Sequence, residues 1–429
     1  MSGSEPSPAR PFGVWTAAAL VVGGMIGSGI FVMPAQLAPY GWTGLAAWCV
    51  AIPGALLLAY VLSKLAAAKP QATGAVAIVG DALGPMPGLL VGWSYWVGIC
   101  SANAIIALTA IRYAAAFVPA LTATPLATAL GATTLIWALT ALNLGGAKGA
   151  GRFQVLTTAL KLLPLVAVVI ILAGLAVMEP TRFTAGGHKG FVAADLTTAL
   201  TLAFFPLVGF ECACLAAERV RDPARNVLRA TLYGTALTGI LYLIISNGVV
   251  FALPESTVVH SDAPIAYFVE SFWGRFAGLS VAAFASIAAI GCLNGWVLLQ
   301  GELPLGMARS GLMPAFLAKT SDRDVPTAAI LISSAFASFL VLSGAIPGLT
   351  GVLTFMLQLT TAATVWLYLG ACVAALVLGV VRPAAVIGLA FSAWVLWGSG
   401  MEALGLSIAL MLTAIPLYWL RPKLAEQSA

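Results

Sequence analysis

The chain has 429 residues, of which 61% are apolar and only 8% charged, with a formal net charge of +5. A soluble domain carries roughly 25% charged residues, so composition excludes an ordinary soluble fold and leaves an all-α integral membrane protein; the short segments of alternating polarity that mark an outer-membrane barrel are missing. The positive balance reflects loop asymmetry and is not a nucleic-acid signature.

Residues 1–11 are a polar tail that leads into a full-length span with no small-residue cleavage pattern, so no removable signal peptide is expected. About twelve stretches then suit helical spans of about 20 residues: 12–38, 43–66, 86–118, 124–143, 152–177, 195–218, 227–252, 276–305, 326–344, 350–379, 384–400 and 402–420. Polar hinges separate them, among them Lys69-Pro70-Gln71, Arg221-Asp222-Pro223 and Ser321-Asp322-Arg323-Asp324, and none is long enough to hold a soluble domain. The six cysteines (Cys49, Cys100, Cys212, Cys214, Cys292 and Cys372) fall in apolar stretches without metal-ligand spacing, and the two histidines, His188 and His260, fall in predicted loops. Neither a metal site nor a disulfide framework is expected.

Charge counting orients the chain. With the N-terminus in the cytoplasm, about fifteen Lys and Arg lie on that side, against four outside (Arg112, Arg182, Lys189 and Arg275), with Lys161 left within a span. The positive-inside rule thus predicts that both termini are cytoplasmic, in agreement with an even number of spans.

The first and sixth spans are interrupted. The first reads Gly23-Gly24-Met25-Ile26-Gly27-Ser28-Gly29 and the second Phe205-Pro206-Leu207-Val208-Gly209-Phe210-Glu211. In lipid a span must satisfy its own backbone hydrogen bonds, so two spans that cannot easily do so are expected to use the freed groups. An odd number of crossings separates their starts, so five-span repeats beginning at each run in inverted topology, with the substrate site at their interface. The expected organisation is a first repeat over 12–177, a second over 195–379, two further spans over 384–420 and a cytoplasmic tail over 421–429.

The first break leaves amides unshielded and lets a ligand approach closely. A helix restarting after Gly29 aims its N–H groups and positive dipole end at the break, which suits a substrate carboxylate. The competing reading is a glycine-rich packing face between helices. The second break ends in Glu211, a carboxylate deep in a span, where a charge costs roughly 2.5–3.5 kcal/mol on insertion scales. Glu211 is therefore a proton carrier, a partner for a cationic substrate, or a protonated acid bonded to a neighbouring helix. Pro206 removes a backbone donor and helps to explain the unwinding.

Lys161, in Thr158-Ala159-Leu160-Lys161-Leu162-Leu163-Pro164, is too deep to reach either interface comfortably. Neutralising a lysine at pH 7 costs roughly 4.6 kcal/mol, and keeping the charge without a partner costs a comparable amount. It reads as a proton-coupling group, as a tethered cation replacing a bound sodium ion, or as half of a permanent ion pair, with Glu211 as one choice. Asn103, Trp296 and Phe205 each suit a ligand site or plain packing.

The run Gly23 to Phe31 with Pro34 resembles the first-helix signature of the amino acid–polyamine–organocation transporter superfamily. Val208-Gly209-Phe210-Glu211, followed by Arg221-Asp222-Pro223-Ala224-Arg225-Asn226-Val227, resembles its sixth helix and the following loop. The resemblance covers about residues 12–420 and looks closest to the bacterial arginine/agmatine antiporter and its basic amino acid/polyamine antiporter relatives. It implies a five-plus-five inverted repeat with discontinuous helices 1 and 6, transport of amino acids or their decarboxylated amines, and pairing into homodimers. By position it implies that Ser28 and the amides from Ile26 through Gly27 to Gly29 receive the substrate carboxylate. Carbonyls near Gly23 and from Phe205 to Val208 would receive its amino group. Phe205 would stack on the substrate, Asn103 would bind its side chain, Trp296 would gate, and Glu211 would respond to protons. Two departures stand out. The family's Pro-x-x-Gly-Gly-x-Tyr segment becomes Pro70-Gln71-Ala72-Thr73-Gly74-Ala75-Val76, with Val76 in place of the aromatic. Lys161 resembles instead the fifth-helix lysine of proton-coupled, sodium-independent permeases and of light-subunit-type exchangers.

The expected function is secondary transport by alternating access in the cytoplasmic membrane, proton-linked and sodium-independent, with arginine/agmatine-type exchange as one mode. The alternative is proton symport of neutral amino acids. No Gly-x-x-x-x-Gly-Lys-Ser/Thr run occurs, so a gradient and not a nucleotide cofactor is the expected energy source. A channel would want rings of like groups, and an intramembrane enzyme would want a nucleophile–base set within the spans; the residues suit neither.

Overall fold

The helices stop where the sequence interrupts them. The computed structural model describes residues 13–69, 74–145, 161–185, 188–211, 222–346 and 351–420. Among these residues every regular element is helical, and seven helices are long and apolar enough to cross a membrane: Trp42–Ala68, Pro85–Ala114, Pro125–Leu144, Arg225–Ala252, Arg275–Arg309, Val352–Val377 and Met401–Trp419. A bent pair, Ala17–Met25 with Gly29–Tyr40, whose halves meet at 45°, is together long and apolar enough for an eighth. Four shorter apolar helices complete the set, Leu162–Met178, Ala193–Leu207, Thr327–Ser343 and Arg382–Gly398. The chain is a multi-pass membrane protein, and its surface agrees: Val166, Ile170, Phe339 and Ile387 stand exposed on the outside, while Thr201, Ser333 and Thr361 are fully buried inside.

Two helices were missing from the span pattern. Ala75–Leu83 lies between Gly74 (φ 94°) and Gly84 (φ 100°). Pro264–Trp273 is closed by Gly274 at φ 81°. Nine- and ten-residue helices are too short to register as spans. Val76, which stands where the family has an aromatic, is buried on the first of them.

The site is positioned by three long helices. Pro85–Ala114 packs along both Arg275–Arg309 and Val352–Val377, and the two broken segments lie against this frame. Pro85 takes the first helical position, where the missing N–H is no loss. The 188–195 segment straps the start of the Trp42–Ala68 helix: the Trp42 amide donates to the Lys189 carbonyl (3.1 Å) and the Val192 amide to Thr43 Oγ1 (2.8 Å). Lys189 Nζ reaches Asp195 Oδ2 at 2.6 Å, and this hydrogen bond holds the Lys189 ammonium above the usual lysine range.

Candidate functional site

The first helix runs Val14–Met25 and the next starts at Gly29. Between them the Ile26 amide still donates to the Val22 carbonyl (2.8 Å), but the Gly27 amide turns back to Met25 (2.8 Å) and the helical ladder is broken. Ser28 precedes the new helix without capping it through its side chain. The first N–H groups of a helix have no intrahelical acceptor, so those of Gly29 and Ile30 begin a run of donors at the break.

The second break has a different form. The Leu196–Phe204 helix tightens into a 3₁₀ turn over Phe205–Leu207, Val208 is extended, and Gly209 adopts φ +112°. That left-handed conformation favours glycine. Residues 212–221, with Cys212, Cys214 and Arg221 of the sequence motifs, lie outside the described residues.

The two breaks touch. A methyl built on Gly29 would lie 2.8 Å from Pro206 Cα, and one on Gly209 would lie 3.2 Å from the Gly24 carbonyl oxygen. Between them is a cavity of about 40 Å³, a few times the 10–15 Å³ needed by one water. The breaks supply Gly24, Met25, Gly27, Ser28, Gly29, Phe205, Pro206 and Val208 to its wall. The Pro85–Ala114 helix supplies Tyr95, Gly98, Ile99, Ala102 and Ile106, Arg275–Arg309 supplies Cys292 and Trp296, and Val352–Val377 supplies Thr360 and Thr364.

Six residues singled out in the sequence thus meet at one cavity: Gly27, Ser28, Gly29, Phe205, Val208 and Trp296. Four others surround it. Lys161 is buried beside the first break, and its Nζ donates to the carbonyls of Gly23 (2.6 Å) and Ile26 (3.1 Å). Gly23 and Ile26, read as substrate contacts, therefore face the lysine. Glu211 is buried behind Tyr95, which donates to Oε1 at 2.7 Å; Tyr368 (2.9 Å) and the Gly209 amide (3.1 Å) donate to Oε2. A carboxylate only accepts, and all three of these partners are donors. Lys161 and Glu211 are thus held by different partners. Asn103 is fully buried and does not line the cavity; its Nδ2 donates to Gln300 Oε1 (2.6 Å), Gln300 Nε2 donates to Ser334 Oγ (2.8 Å), and Asn103 Oδ1 has no partner among the described residues.

Tyr95, Tyr368, Cys292, Thr360 and Thr364 were missed by sequence reasoning. For the two threonines a signal existed: Thr360 and Thr364 stand one helical turn apart in a predominantly apolar span. For the tyrosines, nothing in their spacing points to Glu211.

The chain is similar in sequence to known proteins. The amino acid permease family matches residues 12–424. The cadaverine/lysine antiporter of Escherichia coli (strain K12) is 29% identical over 337 residues, covering 76% of this chain and 73% of its own. The putative arginine/ornithine antiporter of Bacillus subtilis (strain 168) is 29% identical over 369 residues, covering 78% and 77%. The putrescine transporter of Haemophilus influenzae is 26% identical over 361 residues, covering 83% and 82%. With the helical membrane architecture and a family match over nearly its whole length, the chain belongs to the amino acid permease family and is a secondary transporter of small molecules, not an enzyme.

Proposed function

We propose that the protein exchanges a basic amino acid for a related amine or amino acid across the cytoplasmic membrane, by alternating access around the two facing breaks. The observation that carries this reading is the cavity lined by both breaks, through Gly27, Ser28 and Gly29 on one side and Phe205, Pro206 and Val208 on the other, where backbone groups of two interrupted helices meet. Substrate carboxylates suit the amides of Ser28 and Gly29, and that of Gly27 once its bond to Met25 is exchanged, and the wall carbonyls of the second break suit an ammonium group. Phe205 and Trp296 cover the ligand. Asn103 reads the substrate's side chain once its bond to Gln300 is exchanged, a role favoured by its partnerless Oδ1. Glu211 carries the proton response through Tyr95, which joins it to the cavity wall. Lys161 is a tethered cation, and its two carbonyl partners support that choice over an ion pair with Glu211.

The architecture of this reading is twelve crossings with both termini cytoplasmic, repeats over 12–177 and 195–379 in inverted topology, two further spans over 384–420 and a homodimeric assembly. The names of the relatives, which include a cadaverine/lysine antiporter and a putative arginine/ornithine antiporter, favour lysine, arginine, ornithine and their decarboxylated amines as cargo. Lys161 itself favours a second mode, proton-coupled uptake, in which its side chain occupies carbonyls that a co-transported metal cation would otherwise take.

Reconstituted vesicles separate the two. Labelled lysine, arginine, ornithine, cadaverine and putrescine are offered to vesicles that are empty, or loaded with the unlabelled panel, with and without an imposed pH gradient. Exchange predicts uptake only into loaded vesicles. Uptake into empty vesicles driven by the pH gradient would transfer the assignment to symport, and no uptake of any compound would overturn the transport reading.

A further inference from the structure

Tyr113 stands in the last turn of the frame helix Pro85–Ala114 and is fully buried. Its hydroxyl donates to the Phe31 carbonyl at 3.0 Å and accepts from the Ile265 amide at 3.4 Å. Its ring meets that of Phe31 edge-on, with 5.5 Å between centroids. Phe31 belongs to Gly29–Leu37, the half-helix that restarts after the first break, and Ile265 to the short helix Pro264–Trp273. The first amides of a helix have no acceptor within it, and Pro264 has no N–H, so the Ile265 amide is the first of its helix to need an outside acceptor. A hydroxyl both donates and accepts, and this one joins three elements. Pro264–Trp273 also packs against Gly29–Leu37 and along Arg275–Arg309. A second tie to the frame helix runs through Arg112 and Asp262, 3.6 Å apart, with side chains 30% and 61% exposed. Surface pairs of this kind contribute little, so the buried tyrosine supplies most of the hold.

We infer that Tyr113 is a positioning residue that latches Gly29–Leu37 and Pro264–Trp273 together over one end of the cavity, so that cargo enters from that end only when the bond to the Phe31 carbonyl breaks. The inference rests on the transport reading above. Ile106 is the residue of the frame helix nearest to Tyr113 in the cavity wall, and the seven residues between them span about 10 Å. Gly29 belongs to the wall and also opens the latched half-helix. Movement of that half-helix away from the frame therefore opens the wall and releases the latch in one step. In the proposed topology this end faces outward.

The test compares the wild type with Tyr113→Phe, which keeps the ring and its contact with Phe31. Cys292, a wall residue whose Sγ lies against Gly27, is labelled with a membrane-impermeant thiol reagent added to one face of the membrane or to the other. Asp262→Cys reports which face carries the latch. Loss of one hydrogen bond shifts an equilibrium by about 2- to 13-fold, so in Tyr113→Phe the labelling of Cys292 from the Tyr113 face, relative to the opposite face, rises by that factor. The KM for lysine offered at the Tyr113 face falls by up to the same factor, and the maximal rate does not rise; simple damage to the fold would lower the rate without lowering KM. Ser286→Ala removes a bond of 3.0 Å to the Ala110 carbonyl, which ties only frame helices together, and leaves the labelling ratio within about twofold. Hydrogen exchange in the wild type keeps the test open should Tyr113→Phe fold poorly: segments 29–37 and 264–273 open as one cooperative unit. An unchanged or lowered labelling ratio, a Cys292 that stays unlabelled from both faces, or segments that exchange independently overturns the latch. Labelling and hydrogen exchange need no cargo, whereas wild-type vesicles that exchange none of the five cargo compounds overturn the transport reading itself, so the two failures are told apart.

Discussion

Gly29→Ala is the sharpest probe of whether the two breaks work in contact. A Cβ at position 29 would overlap the Pro206 ring and lie 2.8 Å from Pro206 Cα and 3.6 Å from Phe205 Cε1. Ordinary carbon contacts lie at about 3.5–4.0 Å, so clearing Pro206 Cα alone requires the breaks to part by roughly 0.7–1.2 Å, and clearing its ring requires more. Neither obstacle can rotate away, since one is a backbone atom and the other a proline ring. Overpacking of this kind costs about 1–3 kcal/mol, or about 5- to 150-fold in an equilibrium constant. The expected result is a loss of lysine exchange in that range, read as KM and maximal rate in proteoliposomes, with detergent-solubilised protein still monodisperse. Gly174→Ala is the control, because nothing lies within 4 Å of its Cβ position. Gly27→Ala falls between them: its methyl would meet Cys292 Sγ at 2.7 Å, and a side chain can rotate. Wild-type kinetics in Gly29→Ala would refute the idea that the breaks stay packed during transport.

Three further outcomes are expected. Glu211→Gln replaces an acceptor-only group with an amide that offers two hydrogens to donors at Tyr95 and Gly209; the pH profile of exchange should flatten, and a profile that keeps its wild-type shape would remove Glu211 from proton coupling. Lys161→Ala strips the donor from two buried carbonyls, at about 1–3 kcal/mol each; exchange should be lost, wild-type exchange should be equal in sodium and sodium-free media, and either a silent substitution or a strict sodium requirement would refute the tethered cation. At Lys189, the hydrogen bond to Asp195 raises the folded-state value, so the stability it contributes is complete below the unfolded lysine value of about 10.4 and is lost as pH rises through the higher folded value. Lys189→Met should therefore melt slightly earlier than wild type at neutral pH, the gap closing in strongly alkaline buffer; a gap that persists there would assign the effect to packing.

The breaks were legible because their causes are local. Gly23, Gly24, Gly27 and Gly29 cluster within seven residues, and Pro206 with Gly209 does the same in the later span, so backbone chemistry alone marks both. Glu211 and Lys161 were legible because charge is scarce in an apolar run. Their partners were not. Tyr95 lies 116 positions from Glu211 and Tyr368 lies 157, and a tyrosine in a span carries no mark that its hydroxyl is committed to a carboxyl group. Asn103 illustrates the same limit: its amide was visible as an intramembrane polar group, but its bond to Gln300, 197 positions away, depends on helix packing that no local pattern encodes. Ala75–Leu83 escaped because glycines at both ends cut it below span length.

Hydrogen-bond bookkeeping at the first break also limits how it can move. An unpaired backbone group away from water costs several kcal/mol, and the carbonyls of Gly23, Met25 and Ile26 avoid that cost through side chains on two other helical segments, Lys161 at the start of Leu162–Met178 and Tyr242 within Pro223–Ala252. The Gly24 carbonyl instead faces Gly209 of the second break. Rotation of the first break away from Lys161 and Tyr242 would therefore strip a donor from three carbonyls at once and leave two of them, Gly23 and Ile26, bare, while Met25 keeps the Gly27 amide; separation from Gly209 would expose only one, on the side that borders the cavity. The lower-cost motion carries the first break together with its lysine and tyrosine and opens the seam between the two breaks. Alternating access in this chain is thus expected to pivot at Gly24–Gly209 and Gly29–Pro206, the contacts that Gly29→Ala disturbs.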